Sequence, residues 1–176
     1  MKKMKTIIAT VVMLVGFTTV AQNEADRELM QDAQEAKESL LESDQTLQQF
    51  FEDSAGYVLF PNVGEGGFIL GGASGNGIVY EDGEAIGTAD LKKIDIGFQI
   101  GGQAVIEVIF FKTEEDLTEF KEDQVEFSAE ISAIALKSGV SETAKYKDGV
   151  AVFVLQKSGL MADVSAGGQR FRYTAF

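Results

Sequence analysis

The chain has 176 residues, with 15 Lys and Arg against 28 Asp and Glu, no His and no Cys, for a net charge of −13. Lacking His and Cys, it can hold no Ser-His-Asp triad, no thiol nucleophile, no disulfide and none of the usual zinc ligands. So acidic a surface repels nucleic acid and anionic membranes at long range.

The first residues, MKKMKTIIATVVMLVGFTTVAQN, set Lys2, Lys3 and Lys5 ahead of a mainly apolar run from Thr6 to Phe17. Thr19 and Ala21 supply small residues at the −3 and −1 positions of a cleavage site. This is the pattern of a secretory signal peptide, and the run is short of the roughly 20 residues that a spanning helix needs. The expectation is export to the periplasm or the cell exterior, with the signal peptide 1–21 removed after Ala21. A lipoprotein anchor is not expected, because it would need a cysteine at the new N-terminus. The remaining 22–176 reads as a single domain, with helices over about 24–53 and a sheet over about 57–175. Loss of the three leader lysines leaves 12 Lys and Arg against 28 acids, a charge of −16.

From Asn23 to Asp53, Leu29, Ala33, Ala36, Leu40, Leu47 and Phe50 recur at three- and four-residue steps between polar residues, which is helical periodicity. Ser43 or Asp44 can cap a second helix, so two helices are expected, over about 24–42 and 44–53. From Tyr57 the period changes to two. LKKIDIGFQIGG alternates cleanly, while QAVIEVIFFK is apolar on both faces and predicts a central, doubly covered strand. VEFSAEISAIAL, GVAVFVLQ and QRFRYTAF read as further strands. A short helix over Glu114–Lys121 is predicted between them, with Thr113 as its cap and Asp116 in the first turn.

Eighteen of the 19 glycines lie between Gly56 and Gly168, eight of them within Gly56–Gly77. The run GEGGFILGGASGNG has neither the G-x-G-x-x-G spacing of a dinucleotide fold nor the G-x-x-x-x-G-K-[ST] of a P-loop. Glycine inside strands marks a bulge, a bend or a close backbone approach. The expected fold is therefore α+β: two N-terminal helices followed by a strongly curved, glycine-rich, mainly antiparallel sheet or partial barrel. Glu81-Asp82-Gly83-Glu84 and Glu114-Glu115-Asp116 read as a turn and a helix start, not as acid–base pairs. No calcium-loop spacing occurs. No enzymatic activity, metal or cofactor is expected.

Three blocks, GYVLFPNVGEGGFILGGASGNGIVYEDG, IDIGFQIGGQAVIEVIFF and KSGLMADVSAGG, resemble the signature of the SYLF-domain family, the lipid- and actin-binding domain of yeast endocytic proteins. The resemblance spans about Ala25 to Gly168. It implies a binding module and not an enzyme. Eukaryotic relatives bind phosphoinositide membranes, and fungal ones also bundle actin filaments. The residues matching the family core are Gly56, Tyr57, Phe60, Pro61, Gly66, Gly67, Gly71, Gly72, Gly101, Gly102, Gln103, Gly159 and Leu160, which read as fold-making.

The resemblance makes a phospholipid or membrane surface the first expected partner. Lys92, Lys93, Lys112, Lys157, Arg170 and Arg172 are the candidate cations for it, and Phe50, Phe51 and Phe60 the candidate apolar contacts. The alternative is an interaction or scaffold module holding an unidentified envelope protein, which an acidic surface suits if that partner is basic. Nucleic acid is excluded by charge, and an exported protein has no actin to meet.

Overall fold

The computed structural model describes residues 24–64, 73–93, 104–122, 126–127, 133–157 and 169–176. The leader lies outside them. Helix α1 runs over 24–43, a 3-10 turn follows at Gln45–Leu47, and α2 is Gln48–Asp53. The sheet strands are β1 (Gly56–Val63), β2 (Ala73–Glu81), β3 (Glu84–Lys93), β4 (Val105–Phe111), β5 (Glu126–Phe127), β6 (Ile134–Ala135), β7 (Val150–Gln156) and β8 (Gln169–Ala175). Helix α3, Glu114–Lys121, sits between β4 and β5.

These strands form one sheet in the order β5-β8-β3-β2-β1-β4-β7-β6. Every pairing is antiparallel except that of β6 with β7. The sheet is open and not strongly curled, so the expected strong curvature or partial barrel is corrected. The physical reason lies in what the glycines do. A Cβ on Gly77 would stand 2.7 Å from the Phe60 ring and 2.8 Å from the Leu59 carbonyl oxygen. One on Gly56 would meet the Tyr80 carbonyl oxygen at 2.6 Å and Leu117 at 2.8 Å. These glycines form a floor on which neighbouring side chains lie, and close approach accounts for them without a bend.

Strand β4 is buried along its whole length, as its two apolar faces predict. Ile106, Val108 and Phe110 face the layer of α1 and α2, together with Leu40, Leu47, Leu59, Ile78 and Phe153. Val105, Ile109 and Phe111 face the other side, where Leu117 and Phe120 of α3 cover them. Pro61 lies where the β1–β4 register shifts between Phe60 and Val63, a break in the ladder where a residue without an N–H is tolerated.

Two caps hold the helices. Thr113 and Asp116 form a reciprocal capping box: the Thr113 N–H donates to Asp116 Oδ2 at 2.9 Å and the Asp116 N–H to Thr113 Oγ1 at 3.2 Å. Asp44, buried at 1% exposure, caps the 3-10 turn through the Thr46 N–H at 3.1 Å. Its other carboxylate oxygen accepts from the Ser141 N–H and hydroxyl, both at 2.8 Å. This one side chain thus ties the helical layer to a turn 97 residues away. Burial would raise its pKa, but the hydrogen bonds from Ser141 and Thr46 outweigh it and hold the carboxyl well below the usual carboxylate range.

Candidate functional site

The pairing of β8 with β3 gathers three of the predicted cations. Lys92 stands opposite Arg170, and Arg172 stands one non-adjacent pair further on, opposite Asp90. Ser74 and Asn76 of β2 continue the same two rows, and Glu126 of β5 closes the first beyond Arg170. Lys92, Arg170 and Arg172 are all exposed. Like charges directly opposite on a sheet are destabilising, and Lys92 and Arg170 are such a pair, with Glu126 in register on the far side of Arg170. Alternation puts these three side chains on the face that carries α1.

The remaining candidates scatter. Lys157 is exposed just past β7, and Lys112 just past β4. Because β4 and β7 are antiparallel, these two lie at opposite ends of the sheet. Lys93 ends β3 in register with Gln169 and Ala73. The aromatic candidates are packed inward. Phe60 is fully buried, with its ring 6.0 Å from that of Phe171. Phe50 packs on Phe153 at 4.9 Å and Phe110 at 5.4 Å. Phe51 packs edge-on against Tyr57 and Phe110, both at 4.9 Å, beneath the Lys37 ammonium at 4.4 Å. Their expected role as membrane contacts is corrected for Phe60, which has no surface to offer.

Of the family-core residues, Gly56, Tyr57, Phe60 and Pro61 all lie in β1 and are buried. Gly66, Gly67, Gly71, Gly72, Gly101, Gly102, Gln103, Gly159 and Leu160 lie outside the described residues. The strand ends that flank those segments share one end of the sheet, since Val63 pairs with Val105, Ala73 with Lys93, Lys93 with Gln169 and Val105 with Gln156. Lys92, Arg170 and Lys157 stand at that end too.

Periodicity alone did not mark the grooves beside α1. One, of about 490 Å³, lies between Asp32, Glu35 and Ser39 of the helix and Asn62, Ile106, Leu155 and Lys157 of the sheet. A second, of about 410 Å³, shares Asp32 and is floored by Asn76, Thr88, Asp90 and Thr174. The spacing of Asp32, Glu35 and Ser39 on one helical face was visible in the chain. Which strands that face overhangs was not. Among the described residues no helix is long and apolar enough to cross a membrane, and no three acidic side chains converge as a metal site would need.

Residues 92–174 match the family model described as "Ysc84: Las17-binding protein actin regulator". Over residues 92–174, then, the chain carries a Ysc84/SYLF family domain. No curated protein matches the chain significantly. The Ysc84 match runs from the end of β3 to near the end of β8. It therefore contains all six predicted cations and none of Phe50, Phe51 and Phe60. The Ysc84/SYLF family is associated with lipid and actin binding and is generally non-catalytic. The N-terminal helices and the β1–β2 pair lie outside the matched residues, yet β1 and β2 sit between β3 and β4 in the same sheet.

Proposed function

We propose that this protein is a non-catalytic, exported binding module that attaches peripherally to a lipid surface through the α1 side of its sheet. The observation that carries the reading is the cross-strand cluster of Lys92, Arg170 and Arg172, exposed on an otherwise acidic body. The family's association with lipid supports it, and the leader-like first 21 residues support export. Each basic residue near an anionic surface contributes about 1 kcal/mol. Reversing Lys92 to Glu removes one such contribution and adds a repulsion of similar size. Binding to vesicles containing phosphatidylglycerol should then weaken by roughly 30-fold. Co-sedimentation is the direct test, and unchanged binding of Lys92→Glu and Arg170→Glu would remove the cluster from the site. Export is tested by fractionation together with mass measurement of the N-terminus, which should begin at Gln22.

A protein partner is the second reading, favoured by the exposed face of α1. Glu24, Glu28, Asp32, Glu35, Glu38 and Glu42 are all exposed there, a surface suited to a basic partner. A pull-down from envelope extract that loses its specific bands when Glu35, Glu38 and Glu42 become Gln would support it.

A further inference from the structure

The 490 Å³ groove beside α1 carries charges of both signs that do not neutralise each other. Asp32 and Glu35 line it from the helix and Lys157 from the end of β7, and no ion pair joins Lys157 to either carboxylate. Separated opposite charges across a cleft are complementary to a dipole, not to a single ion. The sheet side of the groove is mixed, with Pro61, Ile106 and Leu155 beside the polar Asn62 and Gln156. The volume falls within the range of about 300–1,000 Å³ typical of small-ligand sites.

We propose that this groove binds the ammonium–phosphate headgroup of an ethanolamine phospholipid, with Lys157 taking the phosphate and Asp32 and Glu35 the ammonium. The inference rests on the lipid-binding reading above and names its ligand class. Three features select this headgroup. It carries no net charge, so the Asp32 and Glu35 carboxylates in the groove do not repel it as they would an anionic headgroup. Two carboxylates are good acceptors for the three N–H donors of a primary ammonium. Quaternary ammonium groups are held instead by aromatic cages, and among the described residues no aromatic side chain lines this groove. Half-buried Leu155 offers the glycerol and first acyl carbons an apolar contact.

The test uses the protein produced from its full sequence and neutral vesicles of phosphatidylcholine, with or without phosphatidylethanolamine, alongside vesicles containing phosphatidylglycerol. The expected result is binding to the ethanolamine vesicles at least about tenfold tighter than to choline alone. Lys157→Glu, and the pair Asp32→Asn with Glu35→Gln, should each erase that preference while thermal unfolding stays as in the parent. Soluble glycerophosphoethanolamine should compete at high concentration. Equal binding to the two neutral vesicles, or a preference that survives in the pair variant, overturns the proposal. If only the anionic vesicles bind, through Lys92 and Arg170, the headgroup assignment fails and the lipid-binding reading stands. If no vesicle binds, both fail.

Discussion

Replacing Asp44 by Asn separates the two tasks of its carboxylate. Asn is as good a cap as Asp, so its carbonyl oxygen can keep the Thr46 N–H now held at 3.1 Å. The amide nitrogen then replaces the oxygen that accepts from the Ser141 N–H and hydroxyl, and donor faces donor. The lost interaction is a hydrogen bond to a charged group, worth about 1.5–3 kcal/mol. For a domain of about 150 residues, that lowers Tm by roughly 3–12 °C. Asp44→Ala should cost about 1 kcal/mol more, because the cap is lost as well. Thermal and urea unfolding of the three proteins provide the measurement.

The pH dependence checks the same reasoning independently. The folded-state pKa of Asp44 is depressed. Its contribution is therefore fully present above the unfolded value, about 3.9, and is lost as pH falls toward the folded value. The stability gap between the parent and Asp44→Asn should be constant from pH 8 to 5 and should begin to close below about pH 4. A variant within about 1 °C of the parent at pH 7, or a gap that does not change with acid, would refute the view of Asp44 as the clamp between the helices and the 141–143 turn.

Gly77→Ala places a methyl group against the Phe60 ring and a strand carbonyl that cannot move aside. It should cost about 1–3 kcal/mol as overpacking, read as a lower urea midpoint with unchanged slope. Thr113→Ala breaks the capping box of α3 and should cost about 1 kcal/mol, with amide hydrogen exchange showing that α3 frays before the sheet melts. Burial pushes the Tyr57 and Tyr146 hydroxyls up to about 12. Burial raises the Tyr80 hydroxyl as well, so ultraviolet titration should show three tyrosines ionising late, and stability should fall as pH rises from about 10 toward 12, because the unfolded chain releases those protons first.

The local features were legible because their causes are local. The α3 capping box needs only Thr113 and Asp116, three residues apart. The central position of β4 follows from VIEVIFF being apolar at both parities. The break after Ser43 follows from a capping residue between two helical runs. Asp44 shows where this stops: its capping oxygen could be read from its neighbours, but the partner of its other oxygen is 97 residues away. The glycines were ambiguous for the same reason. A glycine in a strand is compatible with a bend or with a ring lying on it, and only the register of β1 with β2 shows that Phe60 lies on Gly77.

The site was legible as residue types but not as a place. Six cations were identifiable, yet charge gives no register. It is the return of β8 to pair with β3 that brings Lys92, Arg170 and Arg172 together, and the antiparallel run of β4 and β7 that sends Lys112 to the far end. The aromatics show the converse. Phe50, Phe51 and Phe60 are the right type for a membrane contact, but both faces of the sheet are covered, so a large apolar side chain packs inward. Among the described residues Phe176 alone is a large apolar side chain left exposed, and what the cluster itself offers a surface is charge. At physiological ionic strength, carboxylates beyond about 8 Å of the cluster are largely screened. The groups that govern its encounter with a lipid are then its own neighbours, Asp90 first among them, and not the net charge of the chain. In very dilute salt the screening length grows to about 30 Å and the acidic α1 face enters the balance. Binding through this cluster should accordingly be strongest at intermediate salt and weaker on either side, whereas insertion of an apolar side chain would show no such optimum.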